Sequence, residues 1–156
     1  MIDSQLGPPL ARTNIFDYHF GVSHSEEDRA WDTFLQETPG GHHTQTSLWA
    51  QVKANQGWQA VRITAKEEGR IVAGAQILLQ SLPILGSVGY LFNGPLLAND
   101  DPVLQELMTQ ELKQIARAHH IQILIVQPPK TAGVYAESLP NDGFSLGNVK
   151  IALAAT

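Results

Sequence analysis

Apolar and polar positions alternate most regularly between Arg70 and Leu79. Ile71, Ala73, Ala75, Ile77 and Leu79 fall on one face, and Val72, Gly74, Gln76 and Leu78 on the other, the period of two that a pleated strand imposes. Both faces are largely apolar, so the pattern predicts a central strand covered on both sides. Upstream, Phe16, Tyr18 and Phe20 alternate with Asp17 and His19, predicting a first strand over 14–22. Ser25 and Asp28 have the form of a capping box ahead of Trp31, Phe34 and Leu35 at helical spacing, which predicts a helix over 26–37 ended by Pro39-Gly40-Gly41. Leu48, Trp49 and Val52 share one face of a short helix over 47–56, with Gly57 as its C-terminal cap. A strand over 58–65, a polar turn at Lys66-Glu67-Glu68-Gly69 and a strand over 86–93 make an antiparallel meander with the Arg70 strand.

Asp101-Pro102 opens the clearest helix, in which Leu104, Leu107, Met108, Leu112 and Ile115 recur at three and four residue intervals. Lys113, Arg117, His119 and His120 lie near its end, where positive charge complements the macrodipole. Residues 121–126 read as a strand stopped by Pro128-Pro129, and 131–139 as a short helix. Beyond the Asn141-Asp142-Gly143 turn, Val149, Ile151, Leu153 and Ala155 alternate as a last strand. An apolar strand at the very end needs a neighbour, as at a boundary inside a larger protein. Residues 1–13 contain Gly7-Pro8-Pro9 without periodicity and are expected to be a flexible lead-in to a single domain over 14–156.

The resulting order β, α, α, β, β, β, α, β, α, β predicts an α/β domain with a mixed, mostly antiparallel sheet and helices on both faces. It coincides with the plan of the GNAT acyltransferase fold, which alone names no substrate.

Composition narrows the picture. The chain has 156 residues, 43% hydrophobic and 16% charged, the size and balance of one globular domain. It contains no cysteine, which removes disulfide partners, thiol nucleophiles and thiolate metal sites. A formal charge of −5 without any Lys or Arg run argues against a nucleic-acid surface, so contact with RNA or an anionic lipid would have to be local. No apolar run reaches the roughly 18 residues that span a bilayer, and no basic-then-apolar leader opens the chain. The expected setting is cytoplasmic. His42-His43 and His119-His120 are adjacent pairs that point apart without a third ligand, so no metal site is expected. No Ser, His and Asp set or carboxylate pair stands out, and the catalytic groups stay unassigned.

Several spaced motifs add a resemblance: Trp31, then Gln45-Thr46-Ser47-Leu48-Trp49-Ala50-Gln51-Val52-Lys53, Gly57-Trp58, Ile71 to Leu79, Tyr90 with Gly94-Pro95, and Asp142-Gly143-Phe144. In order and spacing the chain resembles the N-terminal half of the FemABX family, non-ribosomal peptidyltransferases that move amino acids from aminoacyl-tRNA to a peptidoglycan precursor peptide. The resemblance implies a GNAT-like half that holds the nucleotide- or lipid-linked muropeptide, with Lys53 on its diphosphate. It implies that aminoacyl-tRNA is met through a second half absent here, with peripheral membrane contact among the partners and no cofactor. The chain alone is then expected to be inactive.

Lys53 otherwise reads as a solvated lysine. Trp49 and Trp58 could stack on a sugar or base, but a buried anchor between helix and sheet is the commoner fate and the favoured one for Trp49; Trp58 is left open. Tyr90 could offer a hydrogen bond at the strand end, while Gly94 and Pro95 read as a plain turn. Two other functions fit the fold, a free-standing acyl-CoA N-acyltransferase and a non-catalytic binding module. The first is disfavoured because Gln127-Pro128-Pro129-Lys130-Thr131-Ala132-Gly133 carries prolines where a pyrophosphate loop needs amide donors.

Overall fold

The computed structural model describes residues 17–147. The expected lead-in and the expected last strand lie outside them. Strands β1 (His19–Ser23), β2 (Gln59–Glu67), β3 (Arg70–Leu82) and β4 (Gly86–Phe92) form the antiparallel meander. A two-residue strand, β5 (Leu96–Leu97), pairs with the early part of β3, and β6 (Ile121–Gln127) joins β4 in parallel. The turn from β2 to β3 places Glu68 and Gly69 at φ 48° and 78°, the left-handed pair that matches strand twist in a two-residue hairpin. Helices α1 (Arg29–Glu37) and α2 (Ser47–Ala54) lie on one face of the sheet and α3 (Pro102–Ala118) on the other. Helix α4 (Gly133–Ser138) joins the α3 layer, where the Tyr135 hydroxyl meets Thr109 Oγ1 at 3.0 Å. The expected mixed, mostly antiparallel α/β fold is the observed one.

On the α3 side, Ala75, Ile77 and Leu79 pack with Val61, Ile63, Leu91, Leu112 and Ile115 in one buried aliphatic core. Each such side chain contributes about 1.5–3 kcal/mol by leaving water. Helix α3 starts as its sequence predicts, with Pro102 in the first turn and the Asp101 carboxylate accepting from the Val103 amide at 3.0 Å. The Tyr18 hydroxyl donates to the same carboxylate, tying the approach to β1 onto α3. Burial, and then that carboxylate, push the Tyr18 phenol well above its ordinary range.

Three expectations need correction. The first helix begins at Arg29, not at residue 26, because Asp28 is the residue whose carboxylate accepts from the Trp31 amide, at 3.1 Å. Ile71 does not share a face with Ala73. A bulge shifts the register between Ala65↔Ala73 and Lys66↔Ile71, so Ile71 packs toward Trp31 and Val72 toward Ala73 and Met108. The second helix ends at Ala54, and Gly57, at φ 84°, closes it with bonds from Gly57 N to Ala54 O and from Trp58 N to Lys53 O.

Candidate functional site

The face under α1 and α2 is held by a buried polar network centred on Gln45. The Trp31 indole donates to Gln45 O at 2.6 Å, and Gln45 Nε2 donates to Gln76 O at 3.0 Å and to Phe92 O at 2.7 Å. Gln45 Oε1 accepts from the Gln76 amide at 2.7 Å, and Gln76 Nε2 donates to Thr46 O at 2.9 Å. Arg62 completes the set, donating to Gln76 Oε1 at 2.7 Å and pairing with Asp28 at 3.4 Å. Burial lowers the Arg62 pKa against the opposing pull of Asp28. Two glycines make room: a Cβ on Gly74 would lie 2.4 Å from the Trp31 ring, and one on Gly94 2.7 Å from Leu91 and 3.2 Å from Gln45 Oε1. Gly94 is therefore a close-approach position as well as a turn, and its own peptide bond to Pro95 is cis.

This network sets α2 above the ends of β4 and β6. Thr46 caps α2 by accepting from the Trp49 amide at 3.2 Å, and Asp32 of α1 accepts from the Ser47 amide at 2.8 Å and from the Ser47 hydroxyl. One turn on, Lys53 Nζ stands 5.1 Å from the Trp49 ring centroid and donates to Gln56 Oε1 at 3.1 Å. Phe92, Ile123 and Ile125 form the floor below them, in a groove of about 1030 Å³ that runs on past β6 to Leu139 and Phe144. Thr44 and Asn93 stand at its polar end.

His42 adjoins that end. Its Nδ1 lies 3.3 Å from the Thr44 amide and 3.2 Å from Asn93 Nδ2, and Asn93 Nδ2 also donates to Thr44 Oγ1 at 3.2 Å. Thr44 Oγ1 also lies 3.0 Å from Nδ1, and the Thr44 amide aimed at that nitrogen favours the neutral ring with its proton on Nε2. Burial, and then the neighbouring His43, lower the His42 pKa.

The four residues singled out from the sequence divide into two pairs. Lys53 and Trp49 line the groove, and Trp49 is half-buried against Lys53 and His43 instead of being a core anchor. The fully buried tryptophan is Trp31. Tyr90 and Trp58 meet edge to face at 5.3 Å, and Tyr90 stacks on Phe92 at 5.6 Å. Neither lines the groove itself; Trp58 borders a second recess of about 540 Å³ with Ala50, Ala54 and Val61. Phe92 and Asn93 were not singled out, although Asn93 directly before Gly94-Pro95 is a turn signal, and its φ of 52° is one that asparagine tolerates. Among the described residues no group of His, Cys, Asp and Glu could hold a metal ion. Nor does any carboxylate or imidazole line the groove among them. Two cations, Lys53 against an aromatic ring and Lys113 from α3, an apolar floor and an amide and hydroxyl at one end suit an anionic ligand with an extended polar arm.

Comparison with known proteins agrees with this architecture. Residues 26–141 match the model of the FemAB family. The chain is 28% identical over 115 residues to the lipid II:glycine glycyltransferase of Staphylococcus saprophyticus, covering 73% of this chain and 28% of that protein. It is 26% identical over 111 residues to the lipid II:glycine glycyltransferase of Staphylococcus aureus strain MRSA252, covering 70% and 26%. The chain thus spans little more than a quarter of the length of these relatives. Among solved structures, FemX superposes with a TM-score of 0.68 at 22% identity, over 83% of this chain and 34% of that one. The ribosomal-protein-alanine N-acetyltransferase of Brucella melitensis biovar Abortus 2308 superposes at 0.62 with 10% identity, over 89% and 99%.

Proposed function

The chain belongs to the FemAB family, and from that premise we propose that it is the acceptor-binding half of a FemABX-type aminoacyltransferase. In this reading its groove holds a nucleotide- or lipid-linked muropeptide; its staphylococcal relatives are named for lipid II. Lys53 meets the diphosphate, Trp49 and Phe92 flank the sugar, and Thr44 and Asn93 face the peptide. The acceptor amine then attacks the ester carbonyl of an aminoacyl-tRNA, the amide bond forms, and the tRNA hydroxyl leaves. Such a transfer depends mainly on positioning and the removal of one proton. The donor and the proton acceptor belong to a second half, outside this chain, and the transferase activity is that of the two-domain protein.

One observation carries the reading: the ammonium group of Lys53 is held on Trp49 at the edge of an apolar groove that no acidic side chain lines among the described residues. The acyl-CoA alternative has less support. The first turn of α3, where a pyrophosphate would need free amides, is already capped by the Asp101 carboxylate.

The test is calorimetry with a UDP-linked muropeptide. Lys53→Ala is expected to weaken binding about tenfold or more while leaving the unfolding midpoint unchanged. Equal affinity for variant and wild type, or micromolar binding of CoA to this chain, would remove the proposal.

A further inference from the structure

The turn between β3 and β4 carries a bare apolar tip at the end of the sheet away from Asn93. Pro83 is exposed, Leu85 is 67% exposed and Ile84 is fully exposed at 104%. Ile84 also has φ 68°, a left-handed conformation that a β-branched side chain resists and that glycine or asparagine would adopt freely. The turn therefore carries an isoleucine where backbone geometry and solvation both favour another residue. Its base is firm: Leu82 pairs with Gly86, the Ser87 amide donates to His120 O at 3.0 Å, and the Ser87 hydroxyl donates to His119 O at 2.9 Å. Those contacts bring the end of α3, with the exposed Arg117 and His120, beside the base of the turn, while the His119 ring turns toward His24.

An apolar tip next to a helix end that carries the exposed Arg117 and His120 matches the layered chemistry of a bilayer surface, acyl chains below anionic phosphates. Its height relative to the groove also fits. From the Leu82↔Gly86 pair to the Leu78↔Tyr90 pair is four residues, about 13 Å along the strand. Tyr90 touches Trp58, whose amide donates to Lys53 O at 3.2 Å. An element sunk about 5–10 Å into the interface would leave the lysine just above, at the level of a lipid-linked diphosphate. We propose that the Pro83-Ile84-Leu85 turn seats in the interfacial layer of a lipid bilayer and presents the Lys53 groove to a lipid-linked acceptor. The second clause rests on the function proposed above; the first does not.

Co-sedimentation of the chain with vesicles of equal phosphatidylcholine and phosphatidylglycerol tests it. Wild type is expected to bind, and the double variant Ile84→Asn, Leu85→Ser to lose about tenfold or more in partitioning. Asparagine accepts the left-handed backbone, so the variant should unfold at the same midpoint or higher. It should also bind the UDP-linked muropeptide as wild type does, which separates failure of the tip from failure of the groove. With phosphatidylcholine alone, binding should weaken yet still depend on the tip. Absence of wild-type binding, equal binding by the variant, or self-association that the variant abolishes would each overturn the proposal, the last by assigning the tip to a second copy of the chain.

Discussion

The two faces of the sheet are closed by different kinds of interaction. Under α3 the contact is aliphatic, with Leu104, Met108, Leu112 and Ile115 buried on small and branched strand residues. Under α1 and α2 the centre is polar, and Gln45, Gln76 and Arg62 are each 1% exposed. Aliphatic packing is non-directional and tolerates volume-conserving change. A buried amide network fixes distances and angles, and it is costly when any member is lost. The difference is one between closing a core and aiming a helix. Only the polar face has to hold α2 so that Trp49 and Lys53 stand over Phe92.

Matched substitutions on the two faces can break that contrast. Gln45→Ala strands the Gln76 amide and the Gln76 and Phe92 carbonyls, and should lower the urea-measured stability by about 4 kcal/mol. It should also weaken muropeptide binding. Leu112→Ala, fully buried under the other face, should cost about 3 kcal/mol with binding intact under folding conditions. If both variants lose binding in proportion to stability, the two faces do not differ in the way described.

A smaller effect sharpens the same point at the polar end of the groove. Burial, and then the neighbouring His43, lower the His42 pKa from 6.5. The folded state therefore binds its proton less readily than the unfolded state. Its contribution is fully present above the unfolded value of 6.5 and is lost as pH falls through the lower folded value. The imidazole signals should titrate with a midpoint below 6.5, and the Thr44 amide should move on the same curve. An ordinary midpoint with a still Thr44 amide would dissolve the cluster.

Much of the fold was legible because its signals are local. The alternation in β3, the periodicity of α3 and the Asp101-Pro102 start each lie within one element. What failed depended on distant partners. Asp28, not Ser25, caps α1; the same carboxylate also pairs with Arg62. The bulge that turns Ile71 away from Ala73 is a property of pairing with β2, and β5 is too short to alternate. Gln45 lay within a motif read as family resemblance, yet its role needs partners 31 and 47 residues away. Trp49 and Trp31 carry the same side chain and the same helical spacing cues. Only the covering elements decide that Trp31 is sealed and Trp49 is half open.

That last pair supplies the most direct test. The chain has three tryptophans, so its indole N–H signals form a small, assignable set in a proton–nitrogen NMR spectrum. During titration with a UDP-linked muropeptide, the Trp49 signal should shift saturably, and Lys53→Ala should suppress the shift. The Trp31 signal, locked on Gln45 O, should stay in place. A Trp49 signal that does not respond while ligand binds, or one that responds equally in Lys53→Ala, would contradict the account of the groove as the acceptor site.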